Sequence, residues 1–501
     1  MVSALGANWP SASLIGAYGY GYLQVEPGAT VEAGDPKAST FVIGGYGPAI
    51  VHLYGGIFRK TGGCALASAG TDTMSPDAGG HGDVSADLYV KDGTFKLGTY
   101  MSTCAGTKST VLIAVDGPGA RIEQGSAAIY PSQNKDSQTV ICMNDGGVIT
   151  ADRINPYPAA TNGVERHPVV VTFNGGVLER ATKTYDFVGN NPLGLEFAIY
   201  EKGATFDFRD DITYDAAGHT IDPVCPLAGR VAGGVKAVDA ADAVAYRGWI
   251  GAPKVRILSL DGNGGGAAAV ADWDWQKREL KGIRILSPGW GYTPGQVKVV
   301  VSTRTKWVTI DGDKVTVGDN EIGGLTKKGN GTFLIQSTNS WQKWTQIDGA
   351  GAIKVGGAYA IPANTELRLN GGTLDLNGYD ADEERATTFC GVAGTGGTVK
   401  NGNLRIVGEW KVSAQRFLDR VTTAVAGTID LTDCTGVTIT DTELLDDEAA
   451  KEKALNLMTA TSIILPEGGV AVNGLPDGWK ASLSENGLRM GSQKGLLLIF
   501  R

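Results

Sequence analysis

A short formula returns through the first two hundred residues: a glycine, then a small residue or a second glycine, then an alternating strand. It reads "PGATVEAG" at Gly28, "YGGIFRK" at Gly55, "KDGTFKLG" at Gly93, "GPGARIEQG" at Gly119, "NDGGVITAD" at Gly146, "FNGGVLER" at Gly175 and "KGATFDFRDD" at Gly203. The steps between these glycines are 27, 38, 26, 27, 29 and 28 residues. The long step contains "SAGTDTMSPDAGGHGD", which reads as a loop inserted into an otherwise regular unit of about 27 residues.

A repeat of this length, without helical periodicity and with Val/Ile/Thr/Phe strands between Gly/Asn/Asp corners, predicts an all-β parallel β-helix, a β-solenoid. Each turn lays its strands on those of the turn before, and side chains alternate inward and outward. The corners need residues that enter φ > 0 without a Cβ clash. Counting from the first glycine of each formula, Val31, Ile57, Phe95, Ile122, Val148, Val177 and Phe206 are expected to stack as one interior row. The 73 glycines show no Gly-X-Y period, which excludes collagen, and the abundant Val, Ile, Leu and Thr exclude disorder.

In the second half, "GLTKKGNGTFLIQSTNSWQKWTQIDGAGAIKVGGAYAIPANTELRLNGGTLDLNG" (Gly324 to Gly378) carries Leu325-Thr326-Lys327, Gly329, Gly331-Thr332-Phe333, Asn339-Ser340-Trp341, Thr345 and the closing run Gly371 to Gly378. These residues resemble the passenger-associated β-strand repeat of bacterial autotransporter-like surface proteins, over about 55 of the 501 residues. The resemblance implies a right-handed parallel β-helix displayed outside the cell. Two departures stand out. Gln342-Lys343 replace the glycine that usually follows the aromatic residue, and nothing after Lys411 supplies the eight or so strands of a membrane barrel. The end, "GLPDGWKASLSENGLRMGSQKGLLLIFR", resembles the terminal hairpin module of large repeat-rich surface proteins, and "DDEAAKEKALNLMTA" (Asp446 to Ala460) reads as a short helix beside it.

Between the two repeat regions, Gly289-Trp290-Gly291-Tyr292-Thr293 resembles a Gly-x-Gly-Tyr-Thr module of phage fibres and bacterial surface proteins. The expected organisation is therefore 1–222 as N-terminal coils, 223–305 as an inserted β module, 306–435 as further β-helix, and 436–501 as a C-terminal cap with a short helix and hairpin. Within the module, "AAAVADWDW" reads as a strand followed by a hairpin turn at Glu279 to Gly282.

Chemistry is sparse. Lys plus Arg number 44 and Asp plus Glu 53, a net charge of −9, so nucleic acid is not an expected partner. No stretch has the length of an apolar membrane span, and the N-terminus lacks signal-peptide character, so Met1 is read as a start inside a longer secreted chain. His81 in "GGHGD" matches one element of β-helical polysaccharide hydrolases. The acidic pair Asp210-Asp211 lies about five coils away, more than roughly 20 Å at the spacing of stacked strands, too far to share a proton transfer. Asp311, Asp313 and Asp319, with Glu321, are the candidate calcium ligands, and solvated turns are the plainer reading. Asp380, Asp382, Glu383 and Glu384 form a second acidic run. For sugar stacking the candidates are Tyr18, Tyr20 and Tyr22, at alternate positions on one strand face, and Trp290 and Tyr292, with Trp341 and Trp344 further on. The plainer reading of the tyrosine face is packing against an upstream coil. The six cysteines show no CxxC and no zinc spacing, and buried free thiols are expected over disulfides.

These readings converge on a non-catalytic, secreted or cell-surface scaffold of adhesin type, a C-terminal part of a larger chain. Its expected partners are surface glycans or proteins, or further copies of itself through the solenoid ends. A polysaccharide lyase or hydrolase on the same fold and a phage-type fibre or spike are the alternatives.

Overall fold

The computed structural model describes residues 13–15, 20–33, 40–44, 47–67, 85–103, 109–125, 128–131, 137–155, 169–182, 187–188, 195–212, 219–221, 226–303, 306–363, 365–379, 388–446, 449 and 454–492. Tyr18, His81, Cys104, Cys225, the acidic run at 380–384 and the terminal "LLLIF" lie outside these residues. The protein is mostly β, with a long, largely parallel sheet consistent with a β-solenoid. It divides into two compact units, residues 1–205 with 227–323, and residues 206–226 with 324–501. The segment expected as an insertion thus shares a unit with the N-terminal repeats.

In the first unit the repeat becomes register. Val51, Leu88, Ile113, Ile141, Val171 and Phe197 are successive partners along parallel strands, and all are fully buried. A second stack runs Phe58, Phe95, Ile122, Ile149, Leu178. Phe58 and Phe95 lie face to face, with ring centroids 4.7 Å apart.

This second stack corrects the expected interior row. Phe95, Ile122 and Phe206 are buried as expected, and Val31, though half-buried, holds the same row as the register partner of Phe58, whereas Ile57, Val148 and Val177 are half-buried on the other face. Phe58, Ile149 and Leu178 take the interior places instead. The reason is the doubled glycine of "GGIFRK", "GGVITAD" and "GGVLER", which delays the strand by one residue, and with a side-chain period of two a single step exchanges the faces. The structurally equivalent corner is Gly56, Gly93, Ala120, Gly147 and Gly176. At Gly93 the backbone has φ +91°, and a Cβ there would sit 2.1 Å from the Gly56 carbonyl oxygen of the adjacent repeat.

Alternate residues of the first stack point away from the repeat interior and would ordinarily face water. Here His52, Tyr89, Ala114, Cys142 and Thr172 are buried as well. They are covered by the side module, whose Ala268, Val270 and Leu286 pack on Tyr89, Leu112, Val140 and Val170. Each large apolar side chain so covered contributes about 1.5–3 kcal/mol.

The module has its own architecture. Gly265–Asp274 and Glu279–Trp290 form a long antiparallel hairpin, and Lys254–Ser259, Val297–Ser302 and Trp307–Ile310 form a three-stranded antiparallel sheet. Trp249, Val255, Trp273, Leu280, Val299 and Ile310 fill the space between them. The hairpin turn falls at 275–278, four residues before the expected position. Asp274 caps it, its Oδ1 accepting the backbone N–H of Lys277, three residues on, at 2.9 Å.

Polar groups tie module to sheet at depth. Lys254 Nζ lies 3.1 Å from Asp87 Oδ1, with both side chains more than nine-tenths buried. Burial pushes the Asp87 carboxyl up, and the Lys254 ammonium works against that push. Asn144 Nδ2 donates to the Leu286 carbonyl at 2.8 Å.

The second unit shows what the residues of 324–378 do physically. Leu325, Thr345, Leu367 and Val392 are successive parallel partners, as are Phe333, Ile353, Leu374 and Val399. Trp341 is buried and its indole N–H donates to Thr345 Oγ1 at 3.0 Å, while the Thr345 and Thr365 hydroxyls pair at 3.0 Å across neighbouring strands. The Asn339 amide donates to the Ser337 and Ala360 carbonyls, both at 2.7 Å. Lys327 is fully buried; its ammonium donates to the Gly329 carbonyl and lies 5.1 Å from the Phe208 ring centroid. Burial pushes its pKa down to about 8.

Toward the end of this unit, Leu455–Ile464 is a strand, parallel to Thr423–Asp430 and antiparallel to Gly487–Ser492. The helix expected through Ala460 therefore does not extend over Leu455–Ala460. Alternation in "LNLM" and pairing on both sides place Leu455–Ala460 in the sheet, and the rest of the expected helix lies largely outside the described residues. Trp479–Ser484 and Gly487–Ser492 form an antiparallel hairpin.

Candidate ligand-binding cleft

Tyr22 and Gln24 sit at alternate positions of the strand Gly21–Val25, and Glu26 follows at the next alternate position, so all three project to one side. The Tyr22 hydroxyl donates to Gln24 Oε1 at 2.8 Å, and Gln24 Nε2 donates to Glu26 Oε1 at 2.9 Å. Across from this row stands the hairpin turn of the module, bringing Trp275, Gln276 and Arg278. Between the two walls is a cleft of about 360 Å³, with Gly251 and Trp273 in its lining and Ile250, 83% exposed, at its edge. Its size is that of ligand pockets, which run from about 300 to 1,000 Å³.

The two tryptophans of "DWDWQKR" have separate duties. Trp273 is buried in the module core, and Trp275, two residues on, is half-buried and keeps part of its ring toward the cleft. Arg278 is exposed and holds φ +56°, a left-handed conformation uncommon for a residue with a Cβ. Glu26 is the single carboxylate among the described residues that line the cleft, and Arg278 the single cation.

Of the candidate aromatic residues, Tyr22 lines this cleft. Tyr20 donates its hydroxyl to the Ala252 carbonyl, and a Cβ on Gly251 would meet the Tyr22 ring at 2.6 Å. Tyr20 and Tyr22 therefore pack on the Gly251-Ala252 segment of the module. Trp290 and Tyr292 are placed elsewhere. The Arg230 guanidinium covers the Trp290 ring at 4.6 Å and is held by Glu196 at 2.7 Å, while Tyr292 is 5% exposed and its hydroxyl is pushed up to about 12 by burial. In the second unit Trp341 is buried, and Trp344 carries Arg368 at 5.2 Å over its ring.

The candidate calcium ligands do not converge. Asp311 and Asp313 flank Gly312 at the short turn Gly312–Lys314, Asp319 follows the strand Val315–Gly318, and all three are exposed. Among the described residues no group of three or more His, Cys, Asp or Glu side chains is placed to hold a metal ion. Cys64, Cys142 and Cys434 are buried free thiols and Cys390 is a half-buried one. Burial pushes the Cys142 thiol up to about 12, which leaves it unreactive at neutral pH.

Gln24, Glu26, Trp275, Gln276 and Arg278 were not singled out by sequence reading. The alternation in "YLQVE" was a usable signal for one wall. The other wall depends on contacts between positions some 250 residues apart, which no local pattern reports. No protein-family model, no curated protein and no solved structure matches the chain.

Proposed function

We propose that this chain is a right-handed parallel β-helix serving as a non-catalytic scaffold at the cell surface or in the secreted space, with the side module as its recognition element. The autotransporter-like residues of 324–378 and the 27-residue register of the first unit support the fold reading. The observation that carries the functional reading is the composition of the cleft. Among the described residues one carboxylate lines it, whereas hydrolysis of a glycosidic bond in most families uses two carboxyl groups facing each other across the substrate. The module is anchored on a buried face through the Lys254–Asp87 and Arg284–Asp116 pairs, which suits a rigid presenter of a binding surface.

The test is incubation of the protein with neutral and acidic polysaccharides, with and without calcium, reading new reducing or unsaturated ends. The scaffold reading expects no product. Product formation that disappears in Glu26→Gln, or in a variant of another carboxylate, overturns it.

A further inference from the structure

The cleft has a chemical bias of its own. Trp275 and Tyr22 offer aromatic surface, and Gln24, Glu26, Gln276 and Arg278 offer hydrogen-bonding groups around it. Flat apolar surface rimmed by planar donors and acceptors matches a sugar ring, which has an apolar C–H face and hydroxyls at its edge. Among the described residues of the lining the charges are one carboxylate and one guanidinium, so the lining carries no net charge to favour an acidic polymer.

We infer that the cleft between Tyr22-Gln24-Glu26 and the 275–278 turn binds a neutral saccharide, with a sugar ring stacked on Trp275 and hydroxyls held by Gln24, Glu26 and Arg278. The inference rests on the reading of the module as a recognition element. The hydrogen-bonded run from Tyr22 through Gln24 to Glu26 fixes the amide and carboxylate before any ligand arrives. On the other wall, the Asp274 cap and the left-handed backbone at Arg278 fix the turn that carries Trp275 and the guanidinium. Both walls are therefore preorganised, which lowers the cost of ordering on binding.

The experiment measures binding of the intact chain to cellohexaose, mannohexaose, xylohexaose and maltohexaose, with an oligogalacturonate as the acidic comparison, by titration calorimetry and tryptophan fluorescence. Trp275→Ala is the direct variant. Because Trp275 also packs on the module core, Arg278→Gly is measured beside it: glycine suits the positive φ, so the turn is kept while the guanidinium is lost.

At least one neutral probe is expected to bind, about tenfold more weakly in each variant, with little change over a tenfold rise in salt. Binding of the acidic probe alone, neutral binding that neither variant alters, or no binding by any probe overturns the inference while leaving the scaffold reading intact. Cleavage of a probe overturns the scaffold reading itself.

Discussion

Arg284 of the side module donates from Nε and Nη2 to the two carboxylate oxygens of Asp116, at 2.6 and 2.9 Å, and Asp116 is almost wholly withdrawn from water. The Tyr89 hydroxyl donates to the same carboxylate at 2.8 Å. The fork geometry of a guanidinium on a carboxylate gives direction as well as energy, and it fixes how the hairpin lies on the stacked strands.

Replacing Arg284 by alanine leaves that carboxylate buried, with the Tyr89 hydroxyl still donating to it. Loss of one partner of a fully buried pair costs about 3–5 kcal/mol, and the 43% exposure of the Arg284 side chain brings the expected loss below that range. Urea unfolding followed by tryptophan fluorescence should show this loss for Arg284→Ala, and a distinctly smaller one for Arg284→Met combined with Asp116→Asn, which removes the unpaired charge.

His52 should make the module's docking sensitive to acid. It is 1% exposed, packed edge-on among Tyr22, Tyr54 and Tyr89, with Nδ1 3.1 Å from the Tyr54 hydroxyl. Burial pushes its pKa down from 6.5 to about 3. Between those values the unfolded chain binds a proton that the folded chain refuses, so folding stability is lost as pH falls below 6.5. The slope approaches about 1.4 kcal/mol per pH unit until the folded value is reached. Melting temperatures of the native protein and His52→Gln across pH 4 to 8 should separate, with the variant less steep in the acid limb.

Gly93 tests the corner. Its positive φ and a Cβ placed 2.1 Å from the Gly56 carbonyl oxygen act together, whereas Gly28 has φ +78° with nothing within 4 Å of a built Cβ. Gly28→Ala should cost about 1 kcal/mol from the backbone alone. Gly93→Ala should cost clearly more, since the backbone of the neighbouring repeat must move. Equal losses in denaturant midpoint would show that close stacking at the corner is not what requires glycine there.

The stacking of the first unit was legible because its period is carried by glycines at the corners. The inward row was less so. In "GGIFRK" the eye anchors on Gly55, but Gly93 lies against the Gly56 carbonyl and Phe58 pairs with Phe95, so Phe58 instead of Ile57 turns inward. Cleft and docking face were hidden for a different reason. Tyr89, Ala114 and Cys142 occupy positions that alternation assigns to solvent, and their burial depends on a module from 227–323 that local patterning cannot place. The strand at Leu455–Ile464 was missed because pairing on both sides outweighed intrinsic propensity.

The parallel register underlies everything else, including the wall that carries Tyr22. Lys96 and Glu123 are register partners in neighbouring repeats, with Nζ 3.0 Å from Oε2 and part of both side chains in solvent. Cysteines placed there would have Cα atoms about 4.8 Å apart, within disulfide range. The most direct measurement is the rate of oxidative cross-linking in Lys96→Cys with Glu123→Cys, compared with Lys96→Cys with Arg121→Cys, two residues out of register. The account predicts fast cross-linking in the first pair and slow in the second. Equal rates, or the reverse order, would contradict the stacked repeat.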